Sequence, residues 1–141
     1  MAQIEENRIG VFVCHCGVNI SAVVDVDKVV KAASGQKGVI VARDYKFMCS
    51  TPGQELILAD IKKHNLNRII VAACSPRLHE ETFKKVLLAA DLNAYFFQMA
   101  NIREQDAWVT EDKEKATEKA ISLVFGAIQR IQHHEPLPIR E

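Results

Sequence analysis

Four short runs of β-branched and aromatic residues alternate with segments whose apolar residues recur at helical spacing, and this alternation constrains the fold more than any other feature. The runs extend from Arg8 to Val13, Val39 to Arg43, Arg68 to Ala73 and Ala94 to Met99. Continuous apolar runs of this length suit parallel strands covered on both faces. Between the first two, Val26, Val29, Val30 and Ala33 keep a helical period after the candidate cap Asp25, with Gly35 as the stop. Thr51, Pro52 and Gln54 stand in capping-box order ahead of a helix that runs to about Asn65, a residue that tolerates a left-handed cap. Ser75-Pro76 repeats the cap-plus-proline signature, and Phe83, Val86, Leu87 and Ala90 form the stripe of a third helix.

From Thr110 onward a long final helix is expected, with Ala116, Ala120, Leu123, Val124, Ala127 and Ile131 on one face and Glu111 paired with Lys115 on another. Two prolines between Glu135 and Glu141 rule out its continuation. The expected organisation is one α/β domain over residues 1–134 and an extended tail or linker start over residues 135–141. Alternating β and α elements with short connections imply right-handed crossovers. The fold class is therefore a flavodoxin-like four-stranded parallel sheet with flanking helices.

A chain of 141 residues that is 48% hydrophobic can bury a core without disulfides. Its 18 basic and 18 acidic residues cancel, so no overall field favours nucleic acid or an anionic membrane. The first residues are acidic and polar, and no apolar run approaches the ~18 residues of a membrane span. The expected location is cytoplasmic. In a reducing compartment, four cysteines argue for metal or redox chemistry more than for a disulfide framework.

Every cysteine follows a predicted strand: Cys14 and Cys16 the first, Cys49 the second, Cys74 the third. In an open α/β sheet the loops beyond the carboxyl ends of the strands form the ligand crevice. With a strand order of 2-1-3-4, the three cysteine-bearing strands are neighbours at roughly 4.8 Å spacing, so the thiols span on the order of 10 Å, the width of a cubane cluster. If the C-x-C segment is extended, Cys14 and Cys16 point the same way while His15 points away. Four thiolates suit either an iron–sulfur cluster or zinc. Structural zinc usually draws on C-x-x-C knuckles, which are missing here, so the spacing favours iron–sulfur. A zinc-braced structural or docking module, thiol–disulfide chemistry at Cys14 and Cys16, and four core cysteines without a joint role stay open.

Arg43, Lys46, Arg77 and Arg103 crowd the same loops, where cations would stabilise an anionic cluster. The alternative is that they are solvated or paired with Asp44, Glu80 and Glu104. Trp108, Tyr45 and Phe47 suit either a hydrophobic wall around a cofactor or plain core. His79-Glu80-Glu81 matches the first half of a zincin motif, but Phe83 stands where the second histidine is required. His133 and His134 suit a helix C-terminus, where they meet its dipole.

The stretches VFVCHCGVNI, ARDYKFMCSTPGQELI, VAACSPRLHEETF and MANIREQDAWV resemble the N-terminal iron–sulfur domain of the heterodisulfide reductase A subunit and related proteins, from Arg8 to about Ile131. The resemblance implies an electron-transfer domain that carries one [4Fe-4S] cluster on Cys14, Cys16, Cys49 and Cys74. It also implies a cytoplasmic complex of flavin-based electron bifurcation or confurcation, containing other iron–sulfur subunits and a flavin-binding subunit or domain. No G-x-G-x-x-G fingerprint is present here, so FAD is expected only on that partner. Many relatives carry a further cysteine after the N-I-R-E motif, where this chain has Asp106.

Overall fold

Strands β1 (Ile9–Cys14) and β3 (Arg68–Ala73) are buried at every position, as central strands of a sheet covered on both faces should be. β2 (Val39–Tyr45) and β4 (Phe97–Asn101) flank them, giving an all-parallel sheet in the order β2-β1-β3-β4, as expected. The computed structural model describes residues 7–74, 76–93 and 96–133, apart from the side chains of residues 76–78, 104 and 105. The expected cap at Ser75, the tail at 135–141, His134 and the Arg77 side chain lie outside that description.

The two faces of β1 divide the core. Val11 and Val13 join Ile70, Ala72 and Ala100 under α1 (Val26–Ser34) and α4 (Lys113–Ile131). Phe12 and Cys14 join Ile69, Val71, Phe97 and Met99 under α2 (Thr51–His64) and α3 (Pro76–Ala89). Cys14 is therefore committed to the α2–α3 face by the period-two alternation of its strand. Each fully buried aliphatic or aromatic side chain in these layers contributes roughly 1.5–3 kcal/mol.

Asp25 caps α1 by accepting from the Lys28 N–H, and its own N–H donates to Thr117 Oγ1 at 2.9 Å, tying α1 to α4. Asn65 ends α2 in the left-handed conformation, as its type allows. Several boundaries differ from the sequence reading; β1 and β2, for instance, reach Cys14 and Tyr45. Ser50 rather than Thr51 caps α2, its Oγ accepting from the Gly53 N–H at 3.3 Å, because Gln54 is used elsewhere. β4 is described from Phe97 and reaches Asn101, two residues further than expected. α4 starts at Lys113, because Asp112 accepts from both Glu114 and Lys115 N–H groups and a π-helical turn at Arg103–Ala107 takes up the preceding chain.

Candidate metal centre

β1 ends at Cys14, and the chain then abandons the extended geometry expected for C-x-C. Cys16 (φ 52°) and Gly17 (φ 64°) are both left-handed, turning the backbone across the end of the sheet. A left-handed cysteine costs on the order of 1 kcal/mol. The turn is held by N–H bonds from His15 to the Tyr45 carbonyl and from Gly17 to the Lys46 carbonyl. It also brings the Cys16 N–H to 3.3 Å from the Cys14 sulfur. His15 does point away, with Nε2 2.6 Å from Asp44 Oδ2.

Cys49 lies in the turn between β2 and α2. Gln54 Nε2 donates to its carbonyl at 2.7 Å, and Ser50 Oγ donates to the Phe47 carbonyl at 2.6 Å. A Cβ on Gly53 would stand 2.4 Å from the Met48 carbonyl oxygen, so α2 can start this close to the turn only with glycine there. The packed turn directs the Met48 N–H to the Cys14 sulfur at 3.3 Å. Cys74 follows β3 directly and is buried.

All four cysteines line one cavity at the carboxyl end of the sheet. Phe47, Ala73 and Phe83 form its apolar wall, and His79 and Arg103 its polar side. About 30 Å³ is left open between these side chains. A larger concavity of about 500 Å³, between the N-terminal ends of α1 and α4, holds no thiol. The cysteines are all unbridged, and among the described residues no three His, Cys, Asp or Glu side chains converge tightly enough for a single metal ion. The donors surround a space instead of meeting at a point.

Arg103 Nη1 donates to the Cys16 sulfur at 3.0 Å, and Asn19 Nδ2 approaches the same sulfur at 3.9 Å. Burial pushes the Cys14 thiol above its ordinary value; the Met48 and Cys16 N–H groups oppose this, and the neighbouring Cys16 and Cys49 thiols reinforce it. Of the cations expected here, Arg103 is in the site. Lys46 lies over the Phe47 ring at 6.0 Å, on the rim. Arg43 turns away, its Nε 2.6 Å from Asp60 Oδ2 on α2, because a side chain of an edge strand meets the helix that covers it.

Phe47, Tyr45 and Trp108 are all exposed, and of the three Phe47 lines the cavity. Trp108 supports the Arg103 guanidinium, which stacks 4.5 Å from its ring centre. Sequence reasoning missed His79 as a lining residue, although its place one turn into the helix after Cys74 was a usable signal. Asp106 does not line the cavity; it is fully buried, and neither carboxylate oxygen has a hydrogen-bond partner among the described residues. Burial pushes its pKa up to about 6, against the opposing charge of Lys119. His133 sits in the turn that closes α4.

No protein-family model matches the chain. It is 58% identical over 134 residues to the second iron-sulfur A subunit of CoB–CoM heterodisulfide reductase from Methanopyrus kandleri, covering 94% of this chain and 20% of that protein. It is 54% identical over 134 residues to the A subunit of H2:CoB-CoM heterodisulfide,ferredoxin reductase from Methanothermobacter thermautotrophicus, with the same coverage. To the A subunit of ferredoxin:CoB-CoM heterodisulfide reductase from Methanosarcina mazei it is 51% identical over 118 residues, covering 83% of this chain and 15% of that protein. The resemblance to the heterodisulfide reductase A subunit is borne out, and the chain spans about a fifth of the length of the curated relatives it matches. Among the described residues no helix is long and apolar enough to cross a membrane.

Proposed function

We propose that this chain, homologous to about a fifth of the heterodisulfide reductase A subunit, binds one [4Fe-4S] cluster through Cys14, Cys16, Cys49 and Cys74 and relays electrons within a heterodisulfide-reductase-like complex. The observation that carries this reading is the meeting of four thiols from three loops around one cavity. A relative of 58% identity is named as an iron-sulfur subunit. When bound, the cluster supplies one-electron redox chemistry.

The residues of the chain prepare the site for that group. The Met48 and Cys16 N–H groups stand ready to stabilise a Cys14 thiolate, and the Arg103 guanidinium a Cys16 thiolate. Met48, Ala73 and Phe83 are buried and keep water from the inner side. Lys46 adds positive charge at the rim, and Arg77, in the first turn of α3, is proposed to do the same. The domain at residues 1–134 is then the cluster carrier, and residues 135–141 are proposed as a tail or linker.

With no described nucleotide fingerprint, the relay needs partners. Those proposed are a flavin-bearing subunit or domain carrying FAD and further iron–sulfur subunits, in a cytoplasmic, flavin-based bifurcating or confurcating complex. The first test is anaerobic purification with iron, sulfide and zinc analysis and an electronic spectrum. The expected result is a brown protein with about four iron and four sulfide per chain. A colourless protein with stoichiometric zinc would overturn the reading in favour of the structural module. Turnover of a small disulfide or a nicotinamide by the isolated chain would replace the relay with a thiol enzyme.

A further inference from the structure

The sulfurs around the cavity are not equally supported. Cys14 accepts from two backbone N–H groups, and Cys16 accepts from Arg103. Cys49 lines the same cavity, yet among the described residues no donor reaches its sulfur; its turn sends Gln54 to the carbonyl instead. Thiolates bound to iron keep substantial negative charge, and an unsupported one destabilises the reduced state most, because reduction adds charge.

His79 lines this cavity from the first turn of α3. It is half-buried, and its ring makes no hydrogen bond among the described residues. Either neutral tautomer of an imidazole carries one N–H, and the protonated ring carries two. With only about 30 Å³ open between the lining side chains, a donor on this wall is within a short reach of whatever the thiols hold. Ion pairing does not explain the position, since Glu80 pairs with Lys84 along the helix.

We infer that His79 is a positioning residue whose imidazole N–H supports the sulfurs of the bound cluster, which lack a full set of donors, and raises its reduction potential. The inference rests on the cluster reading above. A histidine that merely packs at the cavity wall would leave the potential where it is when an apolar side chain of similar size replaces it.

The test compares the whole chain, purified anaerobically, as wild type, His79→Leu and His79→Gln. Iron content and the low-temperature electron paramagnetic resonance of the reduced protein come first, followed by a redox titration. Wild type without iron would overturn the cluster reading and this inference with it. With iron present, His79→Leu should lower the reduced-to-oxidised ratio at fixed potential about tenfold, a shift of about 59 mV for a one-electron couple. His79→Gln, which keeps a donor, should recover part of it. Equal potentials in all three proteins would overturn the inference alone. Should His79→Leu lose its iron, the wild type decides: with ¹⁵N-labelled histidine, pulsed resonance should detect a nitrogen coupled to the cluster spin, and no such coupling would overturn the inference.

Discussion

The Arg103 guanidinium donates to the Cys16 sulfur at 3.0 Å, across 87 residues of sequence. That N–H donates in the plane of the group, and a face of the same guanidinium lies over Trp108, 4.5 Å from its ring centre. A charge-assisted contact of this kind is worth roughly 1.5–3 kcal/mol. Arg103→Ala should therefore lower the reduction potential and shorten the lifetime of the cluster in air. Arg103→Lys should keep part of the charge effect and lose the stacking. Titration of both variants against wild type checks this; unchanged potentials would mean that the contact has no electrostatic role.

Cys49→Ser and Cys74→Ser should each abolish stable cluster assembly, because each sulfur comes from its own loop and the chain has only four cysteines, so none is spare to replace it. Cys16→Ser should leave a labile three-iron form. The fold should survive in every variant, since each leaves the buried aliphatic and aromatic residues of both layers unchanged. Iron analysis and far-UV circular dichroism separate the outcomes. Loss of helical signal along with the iron would show that the metal drives folding.

Gly53→Ala should destabilise the chain by roughly 1–3 kcal/mol, because the new methyl meets backbone atoms of Met48 that cannot rotate aside. The displaced turn is the one that aims the Met48 N–H at Cys14. Cluster retention should fall with stability, as read by urea unfolding and iron content. Ser50→Ala, which removes only the cap hydroxyl, should cost about 1 kcal/mol.

Asp106 should make stability depend on pH in an unusual direction for a carboxylate. Its pKa is about 6 in the folded chain against 3.8 for the free group, because burial penalises the charge more than Lys119 offsets it. As pH rises, the unfolded chain ionises first, so the contribution is favourable below about pH 4, declines toward pH 6 and is lost above it. The difference is worth roughly 3 kcal/mol at most. Asp106→Asn should therefore be more stable than wild type at pH 7–8 by roughly 1–3 kcal/mol, with the gap closing near pH 4. Thermal or urea unfolding across pH 4–8 tests the sign, and a gap that does not change with pH would refute the assignment to this carboxylate.

The strand order and the layering were legible in the chain because they rest on short-range regularities. Apolar runs of strand length, helical spacing after Asp25 and a left-hand-tolerant Asn65 each act within a few residues, and right-handed crossovers then leave few topologies. The gathering of the cysteines beyond the strand ends followed from the same logic, since each comes just after a strand. What the sequence could not decide was where individual side chains end up. Arg43 and Arg103 look alike in the sequence, yet one is held by Asp60 of the covering helix and the other reaches Cys16. The left-handed turn at Cys16, the glycine-only contact under Met48, His79 on the cavity wall and the buried carboxylate of Asp106 belong to the same class. Each depends on which atoms the tertiary structure brings within a few ångströms, across separations of up to 87 residues. Local periodicity decides which elements form, but hydrogen bonds, packing and desolvation act through space, so only the folded chain determines which groups they join.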